Sequence, residues 1–504
     1  MTSHPPTRRD FLRTSLGVAA LAAIPEQLVR DPYAPLSPAP ARLRAGAVRV
    51  RGRVVAAGRG VRGARVSDGL HVVATDADGR FTLVTTAEQR YVTLCPPRGY
   101  ALPTHQAGTA RCYVPLAPDG RAEQEVPFEL QALGGDDERH AFVVLADPQT
   151  QNAFDMGRFH AETVPDVIAT RDALGALPLF GVGGGDLMYD DLSLYPEYER
   201  AVTRMGMPFV QVVGNHDLDF SARVTEGATA TFERHFGPSH YAFDRGRVHY
   251  MVLNDVFWHG AGYIGYLTQE QLSWVEHDLA HVAAGTPVVV LLHIPLTSSE
   301  FARRGNASPG VSTSVNNREQ LDRLLEPYQA HVIAGHTHES EHRMVGRRHE
   351  HVAGAACGGW WTGDICYDGT PNGYAVYEVA GERVTWRYKA TGRAADHQLR
   401  LYRPGSEPTA PGDLVANVWD WDPSWTVVWY EDGERRGLMS RRTGLDPLSV
   451  EQHRGPDLPK YRPWVDPIPT SHLFYAAVSP AAREWAVEAT DGTGRRYREV
   501  LGRG

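Results

Sequence analysis

Pro208-Phe209-Val210-Gln211-Val212-Val213-Gly214-Asn215-His216-Asp217 is the stretch on which the fold turns. A run of strand length, nearly all apolar, that breaks at a glycine and then offers an amide, an imidazole and a carboxylate reads as a strand buried on both faces, with polar chemistry at its carboxyl end. The same form recurs on either side. Phe142-Val143-Val144-Leu145 ends in Asp147-Pro148-Gln149, and the run from Leu177 to Val182 ends in Gly185-Asp186, with Asp190 and Asp191 just beyond. Val288-Val289-Val290-Leu291-Leu292 ends in His293, and Val332-Ile333-Ala334 ends in Gly335-His336-Thr337-His338. Open α/β sheets gather their sites at strand carboxyl ends, so five such endings imply one shared site. Helical stretches lie between the runs. Thr268-Gln269-Glu270-Gln271 fits a capping box before Leu272, Val275 and Leu279, and Asn317 is placed to cap a helix through Leu321, Leu324 and Leu325. Residues 138–392 are therefore expected to be an α/β layered domain.

In their order along the chain these endings resemble the calcineurin-like metallophosphoesterase superfamily, whose pattern runs Asp-x-His, Gly-Asp, Gly-Asn-His-Asp or Glu, His, Gly-His-x-His. Gly185-Asp186-Leu187-Met188-Tyr189-Asp190-Asp191, Asp368-Gly369-Thr370-Pro371-Asn372-Gly373-Tyr374 and a β-module in front look like its three-part bacterial type, with N- and C-terminal β domains. The resemblance implies a calcineurin-like layered β-sandwich flanked by helices. It also implies two divalent metal ions, with Mn, Fe, Zn, Mg and Ca all open. One would lie among Asp147, Gln149, Asp186 and His338; the other would share Asp186 and add Asn215, His293 and His336. His216 would face the phosphate, either protonating the leaving oxygen or stabilising its charge, and Asp217 would orient it. Phosphate esters are anionic and repel hydroxide, so paired cations that neutralise the phosphoryl oxygens and acidify a water suit the chemistry, and carboxylate and imidazole donors suit such ions. One residue departs from the pattern. Gln149 stands where His is usual, either donating its amide oxygen or leaving the place to water.

The flanks read differently. Residues 1–44 hold Thr7-Arg8-Arg9-Asp10-Phe11-Leu12-Arg13, an apolar stretch from Leu16 to Ile24 too short for a stable membrane span, and a proline-rich linker from Pro35 to Pro40. This resembles a twin-arginine export signal, which implies the export machinery as a partner and a periplasmic or extracellular destination. Residues 45–135 alternate in short runs such as Phe81-Thr82-Leu83-Val84, punctuated by turns such as Asp78-Gly79, and read as an all-β module; Val61-Arg62-Gly63-Ala64-Arg65-Val66-Ser67-Asp68-Gly69 with Thr75-Asp76-Ala77-Asp78-Gly79-Arg80-Phe81 resembles the transthyretin-like or carboxypeptidase-regulatory type of β-sandwich. Residues 393–504 are β-like and rich in aromatics, including Trp419, Trp421, Trp425, Trp429, Trp464 and Trp485; core packing is the expected use, and a glycan-binding face the competing one. Cys95, Cys112, Cys357 and Cys366 match no zinc ribbon and are either two nearest-neighbour disulfides or free buried thiols.

Composition sets the outer bounds. A chain of 504 residues with 42% hydrophobic and 22% charged residues is globular and calls for about two to four domains. Its net charge of −9 argues against a nucleic-acid binder that relies on basic charge. The expected function is an exported metal-dependent phosphoesterase acting on phosphate mono- or diesters. Its rivals are a phosphoprotein phosphatase and an envelope glycan-binding protein with structural metals. Tyr189 and Asp190 are candidate substrate contacts, Asn254-Asp255 either a support of the site or a plain strand-end turn, and Trp360-Trp361 either a cleft wall or core packing. His331, His342, His349 and His351 read as ordinary surface or strand residues.

Overall fold

The apolar runs of the middle region build two sheets that pack face to face. In the computed structural model, which describes residues 47–117, 122–456 and 461–503, the first sheet runs in the order Phe209–Gln211, Leu179–Gly183, Arg139–Leu145, Gly373–Ala380, Arg383–Ala390. Its first three strands are parallel and the last two form an antiparallel hairpin. The second sheet runs Tyr241–Arg245, Val248–Val252, Pro287–Leu291, Gln329–Ala334, Arg348–Val352, Glu341–Val345, with four parallel strands in the middle. The twin-arginine and linker readings fall outside the described residues.

Alternation along each strand explains the continuous hydrophobicity of the sequence. Phe142, Val144, Phe180 and Val182 point inward and meet Tyr250, Val252, Val289 and Leu291 of the facing sheet. Val143 and Leu145 point outward, yet are buried under the helices carrying Phe159, Val167, Tyr195 and Tyr198. On the opposite outer face Val288, Val290 and Val332 are covered by Trp274, Val275, Leu321 and Leu325. Both faces of each central strand are dry, which leaves helix, sheet, sheet and helix as the layers.

The two expected helix caps come out differently. Thr268 accepts a hydrogen bond from the Gln271 N–H at 3.2 Å and starts the helix Gln269–Leu279, but the Gln271 side chain turns to the backbone of Asn254, so the box is half made. Asn317 does not cap Arg318–Leu325. Its amide instead pairs with both backbone groups of Leu267, at 3.0 and 2.7 Å, a local alternative that Asn side chains readily take.

Each flank is a pair of four-stranded sheets. The N-terminal pair encloses Val50, Val54, Val66, Phe81 and Leu94. The C-terminal pair encloses Leu414, Ala416, Val427 and Val487, together with Trp425 and Trp485; Trp419 is also buried, while Trp464 is exposed. Arg65 ties the N-terminal sandwich to the second sheet: its buried guanidinium lies 2.6 Å from Asp244 Oδ1, 3.0 Å from Cys95 Sγ and 3.2 Å from His249 Nδ1. All four cysteines are free and buried. No helix among the described residues is long and apolar enough to cross a membrane.

Candidate active site

The strand endings converge where the carboxyl ends of the two sheets meet. Three of the five leave their strands through a tight, left-handed bend: Asp147, Gln149, Asp186, Asp190, His336 and His338 all have φ between 42° and 72°. Such backbone is costly for a residue with a side chain, at about 1–3 kcal/mol each, and it persists where surrounding packing over-determines it. Two glycines make room. A Cβ on Gly214 would lie 1.9 Å from the backbone nitrogen of Asp186, and one on Gly335 would lie 2.4 Å from Asp147 Oδ2.

Asp186, His293 and His336 present ligand atoms that all lie within 4.8 Å of one another. His293 Nε2 is 3.3 Å from Asp186 Oδ1, 3.2 Å from Asn215 Oδ1 and 3.2 Å from His336 Nδ1. Second contacts fix each ring: His293 Nδ1 meets the Gly184 carbonyl, and His336 Nε2 meets that of Ser312. Asp255, buried beneath, accepts the backbone N–H groups of His293 and Ile294. The support expected of the Asn254-Asp255 turn therefore falls to Asp255.

Beside this group lie Asp147 and His338. Asp147 Oδ2 accepts the His336 backbone N–H, and His338 Nδ1 meets the Gly358 carbonyl at 2.6 Å. The remaining atoms, Asp147 Oδ1 and His338 Nε2, are 3.5 Å apart, buried and without hydrogen-bond partners. An anionic oxygen and an imidazole nitrogen orphaned side by side are what a cation would satisfy. Gln149 joins the two groups, directing its amide Nε2 to Asp186 Oδ2 at 2.7 Å.

Charge points the same way. Burial would raise Asp186, but the His293 and His216 imidazoles outweigh it and hold the carboxyl far below its usual range. Burial would lower His293, but Asp186 and Asp147 draw a proton onto it and push it up to about 10. His336 falls to about 4 through burial and the charge of His293, which leaves a neutral imidazole. The carboxylates thus demand positive charge here, and the donor set fits divalent metal ions.

His216 is buried against Asp186, whose Oδ1 accepts its backbone N–H at 2.7 Å; its Nε2 lies 3.8 Å from Asp186 Oδ2. Asp217 does not orient it. Its carboxylate turns back to accept the N–H groups of Leu187, Met188 and Gly214 and the Tyr195 hydroxyl, binding the two strand-end loops together. Burial and the charge of Asp186 push Asp217 up to about 7. The group on His216 Nδ1 is Asp190, at 2.5 Å, and the Tyr189 ring packs over the imidazole. Above Tyr189 stands the guanidinium of Arg462, 4.9 Å from the ring centre and anchored to Asp155. The tryptophan pair divides: Trp361 is core and donates to the Pro148 carbonyl, while Trp360 lies against His338. Asp190 had a signal in the sequence, four residues after Asp186, whereas Arg462 had none.

Three matches to known families cover most of the chain: residues 48–133 match the N terminal of calcineurin-like phosphoesterase, 142–340 calcineurin-like phosphoesterase itself, and 350–497 the C terminal of calcineurin-like phosphoesterase. Among curated proteins, a serine/threonine-protein phosphatase CPPED1 from Homo sapiens is 28% identical over 195 residues, and one from Pongo abelii is 27% identical over the same length. The matched stretch is 38% of this chain and 57% of each relative, little more than half their length. Among solved structures, the purple acid phosphatase PPD1 from yellow lupin (Lupinus luteus) seeds aligns with a TM-score of 0.31 and 13% identity, over 69% of this chain and 56% of that one.

Proposed function

This chain belongs to the calcineurin-like phosphoesterases, hydrolases of phosphoester bonds, and from that premise we propose an exported enzyme that cleaves phosphate mono- or diesters at a dinuclear metal centre. The observation that carries the reading is the pairing of two donor groups: Asp186, His293 and His336 converging with Asn215, next to the orphaned Asp147 Oδ1 and His338 Nε2. Asp186 faces one group with Oδ1 and Gln149 with Oδ2, which suits it to a bridging place. Bound divalent ions would supply Lewis acidity to the phosphoryl oxygens and lower the pKa of an attacking water.

The chain's own residues do the rest. Asp190 pairs with His216 Nδ1 and fixes the ring, leaving Nε2 to face the leaving oxygen, either protonating it or stabilising its charge. Tyr189 frames the same side, held from above by the guanidinium of Arg462, whose charge is paired with Asp155. Asp217 and Asp255 hold the loops that carry His216 and His293. The export part of the reading rests on Arg8-Arg9 and the short apolar tract behind them. A phosphoprotein phosphatase is the second reading, because the curated relatives carry that name.

The test is hydrolysis of bis-p-nitrophenyl phosphate, p-nitrophenyl phosphate and a phosphoserine peptide by the Mn-loaded chain. Asp186→Asn should lower kcat/KM by about 10²–10⁴ on whichever class is cleaved, and His216→Ala by as much on the phosphoserine peptide, whose alkoxide leaving group needs a proton. A folded chain that binds metal and cleaves none of them sinks the reading.

A further inference from the structure

A second histidine cluster lies inside the sandwich, away from the strand ends. His331, His349 and His351 each offer a ring nitrogen, and these atoms lie within 4.8 Å of one another. Register brings them together: His331 pairs across to His349, His351 stands two residues further along the same strand, and His342 pairs across to His351. Residues opposite one another, or two apart on a strand, share a face, so all four imidazoles crowd one patch of the second sheet. His331 sits three residues before the end of its strand, ~10 Å short of the place where His336 and His338 begin.

The contacts within this patch do not satisfy it. His331 Nδ1 and His351 Nε2 are 3.1 Å apart, which one imidazole-to-imidazole hydrogen bond explains. That leaves His349 Nε2 and His351 Nδ1 buried with no partner, on residues only 8% and 1% exposed. His342 Nδ1 is a third orphan, while its Nε2 is held 2.9 Å from Asp420 Oδ1. A carboxylate on the far nitrogen is the arrangement that orients metal-bound imidazoles. Trp386 closes the patch, its ring 4.7 Å from those of both His349 and His351, and also lines an adjoining cavity of 210 Å³. Burial keeps these rings neutral: His331 is lowered to about 4 and His349 to about 2, the latter also by its histidine neighbours. Neutral imidazole is the form that binds metal.

We propose that His331, His349 and His351 form a separate site for one divalent ion of the copper–zinc end of the first transition row, with His342 as the fourth imidazole beside it. The donor set is imidazole alone, without the carboxylates of the strand-end cluster, and such sets favour zinc and copper over manganese, magnesium or calcium. The two clusters therefore sort ions by donor type within one chain.

The full chain is stripped with chelator, saturated with Mn(II), and given one equivalent of Cu(II), which is followed by electron paramagnetic resonance; Zn(II) affinity is measured by calorimetry. The expected spectrum shows nitrogen couplings from three imidazoles. It persists in a His293→Ala/His338→Ala chain, and His349→Gln lowers Zn(II) affinity at least tenfold with circular dichroism unchanged. Should His349→Gln fail to fold, His331→Asn, on a less buried residue, takes its place. The proposal is overturned if the three-nitrogen signal vanishes in the His293→Ala/His338→Ala chain, or if folded His349→Gln or His331→Asn binds Zn(II) as tightly as the parent. Hydrolysis is not the readout, so this outcome stands apart from that of the phosphoesterase reading.

Discussion

The two histidine clusters of the catalytic sandwich are built by opposite means. At the strand ends, donors arrive from five segments, three of them on bent backbone, with carboxylate, amide and imidazole mixed. In the sheet interior the donors are imidazoles alone, on regular paired strands whose register fixes their spacing. Among the described residues eleven non-glycine positions have positive φ, and eight of them are Asp147, Gln149, Asp186, Asp190, His336, His338, Trp360 and Trp361. Backbone strain thus collects at one cluster and is absent from the other. Loops can aim unlike groups at one point, at the cost of strain; strands can only offer like spacing, at no such cost.

A third cluster sharpens the contrast. Cys95, Asp244 and His249 also bring donor atoms within 4.8 Å, but the cation they surround is the guanidinium of Arg65. If that charge is what the donors serve, Arg65→Ala should cost about 3–5 kcal/mol of unfolding free energy, the usual penalty for breaking a buried ion pair, as read by chemical denaturation. A loss near zero would mean that the cluster needs no cation, and would weaken the case for the other two.

The next effect belongs to the bent backbone. Gly335→Ala would drive a methyl against Asp147 Oδ2, so hydrolysis should fall by roughly 10², the size expected for displacing a reacting group by about 1 Å. Near-parental kcat/KM in this variant would show that the strand-end geometry is looser than described. Smaller still is the effect of Asp190→Asn, about tenfold on kcat for esters with alkoxide leaving groups and less for nitrophenyl esters, which need no proton. Equal losses on both would assign Asp190 to substrate binding rather than to support of His216.

Legibility in the sequence followed the same division. The strand-end residues were readable because a strand buried on both faces leaves a continuous apolar run, and its polar ending is local. Asp217 misled for a local reason too: it neighbours His216 in the chain, but the turn sends its carboxylate to three backbone N–H groups. Asp190 takes the place from another loop. Arg462 reaches Tyr189 from a distant segment with no motif around it. The histidines at 331, 342, 349 and 351 looked ordinary because their meeting depends on strand order, with Arg348–Val352 set between Gln329–Ala334 and Glu341–Val345. Sequence spacing carries no record of that order.

The most direct measurement is stepwise return of Mn(II) to the chelator-stripped chain, with bis-p-nitrophenyl phosphate hydrolysis and bound metal read together. The account predicts no turnover in the stripped chain and a rate that saturates as the second ion binds, in the way of two-metal sites. Undiminished hydrolysis by the stripped chain, or a rate already saturated by the first ion, would contradict it.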